Sequence, residues 1–359
     1  MMRMGFSRLS VAGFALAVAV FHNAPAQPAS PPPAYIVRDL GAFSQSSGET
    51  VRGVNFAGEL VGGSGHAGYG TRAFLLTNTN LEELKGLRGA DRSVAHGSNE
   101  ASVVVGSSNT DTSLRAFMWT RKGGVKDLGA LPGDSGSEAF GINKHNQVVG
   151  YSSGPRGMQA VIWNSNGKIE GLGTLRADDN SRAYAINDLG AVVGFSGNPQ
   201  RTTAFLWTRE DGMKNLGALP GDKDSVALSI NNKDSRVVGY SSGPGGDRGF
   251  LWTREGGIKN LGALPGDDYS RALSINDRGE VVGTSGGPSG TRAFLWTRSR
   301  GMENLNSLIP AGSDFGLAEA IAINDQGTIL AVGYDDDGHA DAHGHHEAPA
   351  RIFLLVPTR

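Results

Sequence analysis

The chain has 359 residues, a formal net charge of −2, and 54 Gly and 15 Pro against only 19% charged residues. Gly near twice its average usage of roughly 7% excludes long helical bundles, because each costs roughly 1 kcal/mol inside a helix, and the lack of a Gly-x-y period excludes collagen. The near-neutral charge argues against general nucleic-acid binding, which needs a basic face, and zero Cys excludes disulfides and thiolate metal sites.

At the start of the chain, Arg3 and Arg8 precede an apolar run from Leu9 to Phe21, followed by Ala24-Pro25-Ala26. A run this short does not span a bilayer, which takes about 20 residues. With the small-residue A-x-A site it reads as a secretory signal peptide over 1–26. Residues 27–34 are Pro-rich and read as an extended tether. The expected mature protein is secreted or periplasmic, has no membrane span, and is a monomer with an exported or cell-surface ligand rather than nucleic acid.

Residues 35–359 repeat. The five Trp stand at 119, 163, 207, 252 and 296. The Asn that closes each A-x-x-I-N phrase or its variant stands at 55, 99, 143, 187, 231, 276 and 324. A period of about 44 residues therefore recurs seven times. Each unit holds four β-like phrases, here a to d, as in Ser225–Asn231, Arg236–Tyr240, Gly249–Thr253 and Ile258–Leu261. Turns of the type Asn187-Asp188-Leu189-Gly190 join a to b. Four short strands per unit predict a β-propeller blade. The chain opens on a d phrase (35–40) and ends on a c phrase (351–356), so seven full blades require the two termini to share one. The expected architecture is all-β: a single seven-bladed propeller, four antiparallel strands per blade, closed by pairing of the N- and C-terminal strands.

The phrases Arg292-Ala-Phe-Leu-Trp296 and Ala-x-x-Ile-Asn-x-x-Gly-x-Val-Val-Gly resemble the bacterial extracellular HAF-repeat family across nearly all of residues 35–359. Where that family has His, this chain has Arg72, Arg115 and Arg292, or Thr203 or Gln159. The resemblance implies export and repeat architecture, and it brings no catalytic residues with it.

Motifs that carry chemistry are sparse. Gly150–Gly154, Gly239–Gly243 and Gly283–Gly287 match G-x-S-x-G, yet they recur at the repeat period with no following helix, unlike a nucleophile elbow. No catalytic residue is predicted. Two features stand out. The d-to-a loops repeat an Asp, at Asp134, Asp178, Asp222 and Asp267, either as turn caps or as a ligand-binding arc at one channel mouth. The last b-to-c loop carries an insert over 335–346 with His339, His343, His345, His346, Asp337 and Asp341. Imidazole with carboxylate suits Zn, Ni or Cu better than Ca. No cofactor is otherwise required. The d–a and b–c loops share one face, expected to be acidic, while Arg121, Arg209, Arg254 and Arg298 on c–d turns make the opposite rim basic.

Three functions follow. The leading one is a non-catalytic binding or scaffold propeller that recognises a ligand at the d–a and b–c face. The second is an envelope hydrolase or lyase using channel-mouth carboxylates. The third is divalent-metal binding through the insert. A single acid–base pair converging on the channel would favour the enzyme; a repeat-symmetric mouth would favour the scaffold.

Overall fold

A computed structural model describes residues 34–42, 50–55, 58–66, 70–77, 80–175, 180–335 and 350–358. These residues form seven four-stranded antiparallel sheets arranged as the blades of a propeller. Blades 1 to 6 are built in chain order from 50–83, 93–127, 136–173, 180–217, 224–262 and 269–304. Blade 7 takes strands a to c from Phe315–Ile323, Ile329–Asp335 and Arg351–Pro357, and strand d from Tyr35–Ala42. Tyr35 pairs with Pro357 and Asp39 with Phe353, so the ring closes through its ends. Arg351 fastens the joint by bonding both Asp39 and Asp335. A single 3-10 turn, Leu305–Ser307, is the one helical element among the described residues.

Alternation of side chains builds the core. The Phe of strand c (Phe74, Phe117, Phe205, Phe250, Phe294 and Phe353) is fully buried in six blades. In blades 2, 4, 5 and 6 it packs with a Trp and with Val side chains from two neighbouring b strands in the wedge between blades, as Phe205 does with Val149, Val192 and Trp207. The Gly that follows Val-Val is demanded by the backbone. A Cβ on Gly150 would overlap the carbonyl oxygen of Glu138, and one on Gly194 that of Arg182. Strand a carries a bulge at this point in most blades, for example between Ala139 and Gly141.

The Asn of every repeat closes the inner ring. Its Oδ1 accepts backbone N–H groups of its own a–b turn, as Asn187 does from Leu189 and Ala191. Its Nδ2 donates across to the next blade's Asn carbonyl: Asn55 to Asn99, Asn99 to Asn143, Asn143 to Asn187 and Asn187 to Asn231, each at 3.1 Å. Asn276 to Asn324 and Asn324 to Asn55 continue the circle. In blade 5 the turn is one residue longer, and Asn231 Nδ2 donates to Asp234 instead.

Candidate active site

Strand a is the innermost strand, so its irregularities decide what the channel presents. Counting five residues back from the ring Asn gives Thr50, Val94, Glu138, Arg182, Val226, Arg271 and Glu319. Three residues back, in the bulge, gives Arg52, His96, Phe140, Tyr184, Leu228, Leu273 and Ile321. Both positions lie in the middle of the strand, on the d–a side of the Asn ring. Here the repeat symmetry stops, because two positions that could be apolar throughout carry two Glu, three Arg and a His.

Glu138 and His96 form a sheltered acid–imidazole pair. Nε2 of His96 lies 2.9 Å from Glu138 Oε1 and 3.3 Å from Ser107 Oγ. Ser107 Oγ donates to the same Glu138 oxygen at 3.1 Å. The two side chains are 14% and 16% exposed, so both are largely sheltered from bulk water. Burial alone would raise the Glu138 carboxyl. The His96 hydrogen bond and charge, with the Tyr151 and Ser107 hydroxyls, hold it below the ordinary range instead. Tyr151 stands opposite Glu138 in strand b. Burial first, and then the Glu138 charge and hydrogen bond, push its phenol up to about 12, so it remains a donor. In the tautomer that gives Nε2–H to Glu138, Nδ1 carries the lone pair, the arrangement in which a carboxylate orients an imidazole as general base.

Glu319 occupies the Glu138 position in blade 7. Burial raises its carboxyl above the ordinary range, and the positive charges of Arg52 and Arg271 counter this only in part. Two carboxyls at one level of one channel are thus pushed in opposite directions, which divides the roles of acid and base. Arg271 is matched by Asp247 (2.5 Å) and lies 4.8 Å from the Tyr240 ring. Arg182 lies 4.6 Å from the Tyr151 ring, 5.7 Å from Phe140 and 6.0 Å from Tyr184. Rings run on around the wall, with His96–Phe140 at 5.1 Å and Tyr184–Phe195 at 6.0 Å.

The repeated loop Asp residues stand elsewhere. Asp134, Asp222 and Asp267 each accept from the Ser of the neighbouring b strand, Ser152, Ser241 and Ser285, at 2.7 Å. Those Ser also accept from the Leu131, Leu219 and Leu264 amides. The Ser of each G-x-S-x-G match is therefore a loop anchor. Asp267 is also bonded by Arg292. Asp178 lies outside the described residues, as do His339, His343, His345, His346, Asp337 and Asp341. Among the described residues, no three His, Asp or Glu side chains gather as a metal site. Charge is not partitioned by face as expected. The a–b mouth carries Glu100, Asp188, Asp277 and Asp325, linked amide to carboxylate from Lys144 to Asp188 and from Asp277 to Asp325. On the c–d rim, Arg121 and Arg209 are matched by Glu82 and Glu170.

Sequence reasoning passed over Glu138, His96, Arg182 and Glu319 because it searched for residues that recur. Their signal is the reverse, a strand-a position where the repeats disagree.

No protein-family model matches this sequence, and no curated protein does. Solved structures match its fold. A streptogramin B lyase superposes with a TM-score of 0.56 at 12% identity, over 90% of this chain and 98% of that one. The virginiamycin B lyase from Staphylococcus aureus gives 0.56 at 13%, over 90% and 100%. An oligogalacturonate lyase in complex with manganese gives 0.57 at 11%, over 92% and 97%. At such identities the likeness is one of fold: this chain is a seven-bladed propeller of their general form.

Proposed function

We propose that this propeller is an enzyme, a lyase working at the channel through His96, Glu138 and Glu319. The observation that carries the reading is the His96–Glu138 pair, 2.9 Å apart and present in one wedge of the seven. A binding scaffold has no need of an oriented imidazole together with a carboxyl held toward its protonated form at the strand position that Glu138 holds. In the reaction, His96 Nδ1 takes a proton from a carbon beside a carbonyl or carboxylate. The C–H electrons form a C=C bond, the C–O bond on the next carbon breaks, and the leaving oxygen takes the Glu319 proton. Proton exchange with solvent returns both groups to their starting forms. Glu138 is a positioning residue that keeps Nε2 as the donor and stabilises the imidazolium.

The test uses the substrates in the names of the structural neighbours, oligogalacturonate and virginiamycin B. Wild-type protein should form a new double bond in at least one of them, read by ultraviolet absorbance. His96→Ala should abolish turnover, and Glu138→Gln should lower it by about 100-fold or more. Failure of the wild type on both, or turnover indifferent to these substitutions, would count against the lyase.

Metal capture by the insert is a separate proposal, resting on four of the chain's eight His falling within it. Zn calorimetry on the wild type and on a variant with His339, His343, His345 and His346 changed to Ala checks it: equal binding by both places the metal elsewhere.

A further inference from the structure

Each charged side chain on the channel wall can be asked what balances it. Glu138 has His96. Arg271 has Asp247. Glu319 lies in the field of Arg52 and Arg271. Arg182 stands apart. Its guanidinium is enclosed by aromatic rings, its Nη2 contacts only the Met158 thioether, at 3.5 Å, and its Nε is buried with no hydrogen-bond partner. Among the described residues no carboxylate pairs with it.

A guanidinium offers five N–H donors in a planar fork, and leaving them unmade in a sheltered place is costly. Stacking on Tyr151, Phe140 and Tyr184 fixes the plane of the fork but satisfies none of its donors. Tyr151 is also the residue whose hydroxyl bonds Glu138. An anion on Arg182 would thus sit one aromatic ring away from the acid–base pair.

We propose that Arg182 is the substrate-binding residue for a carboxylate, so that the substrate is a carboxylate-bearing, ring-containing molecule of the uronate class. This rests on the lyase reading for its consequence but on Arg182 alone for binding. A planar monoanion matches the fork in two parallel hydrogen bonds. A tetrahedral phosphate lacks that planar match. The half-buried rings of Tyr184 and Phe195, 6.0 Å apart, supply a wall for a sugar ring. The carboxylate also has a chemical use. Paired with Arg182, it withdraws charge from the neighbouring carbon, whose proton His96 removes.

Calorimetry with trigalacturonate and with its methyl ester on the full chain tests the assignment. The acid should bind the wild type, and Arg182→Met should weaken it by about tenfold or more. Arg182→Lys, which keeps the charge but loses the fork, should fall between. The methyl ester should bind all three weakly and alike. Absence of binding by the wild type, equal binding of acid and ester, or a Met variant that binds like wild type would each overturn the assignment. His96→Ala keeps the two readings apart. Arg182-dependent binding in a protein without turnover would sink the lyase and leave this site standing, whereas turnover untouched by Arg182→Met would do the opposite.

Discussion

Glu138 and Glu319 hold the same place in their repeats, yet they differ in partners. Glu138 faces an imidazole and two hydroxyls, and Glu319 faces mainly desolvation. The difference is visible in stability. A carboxyl raised on folding takes up a proton, so its contribution is full below the ordinary Glu range, about 4.3, and is lost as pH rises through the folded value. Glu319→Gln removes that loss. The variant should melt above the wild type at pH 7 and together with it near pH 4, followed by calorimetry across that range. Parallel melting curves at all pH values would contradict the raised carboxyl. Glu138 carries the opposite sign: its contribution is present above the ordinary Glu range and falls away as pH drops through its lowered value. Neither role could be read from the sequence, since both depend on which side chain of the neighbouring blade meets the carboxyl.

At the scale of the strand, the glycines divide into two kinds. Gly190 closes its a–b turn with φ of +79°, and a Cβ there would meet only Gln147 Oε1 at 3.7 Å. Gly150 has ordinary backbone but no space, because strand a crosses over it. Gly190→Ala should therefore cost about 1–2 kcal/mol, the strain of the left-handed region. Gly150→Ala should cost about 3 kcal/mol or more, beyond usual overpacking, because the clash is with backbone. Denaturant melts of the two variants check the order, and equal losses would contradict it. The Asn-x-x-Gly turns were legible because Asn and Gly are turn residues in their own right. The Gly of Val-Val-Gly was visible only as a repeated letter. Its reason lies in the strand-a bulge, which residue pattern alone does not reveal.

For the whole molecule, periodicity made the architecture readable: Trp and Asn markers near 44 residues counted the blades, and the split blade announced the closure. Deleting residues 34–42 should open blade 7, lower the Tm by several degrees and expose the edge of Arg351–Pro357 to association. Scanning calorimetry with size-exclusion chromatography checks both effects, and an unchanged melt would contradict closure through the termini. The site was far less legible. A repeat protein advertises what it repeats, whereas the proposed site lies at positions that break the pattern, in blades distant in the chain.

The central claim is that His96, oriented by Glu138, and Glu319 act as base and acid on one substrate in one channel. It is tested most directly by the pH dependence of kcat/KM for elimination from trigalacturonate, wild type against Glu319→Gln. The wild type should lose activity as pH rises through the raised value of the Glu319 carboxyl. The variant should be slower and should lack that alkaline limb. Identical profiles for the two proteins would contradict the assignment.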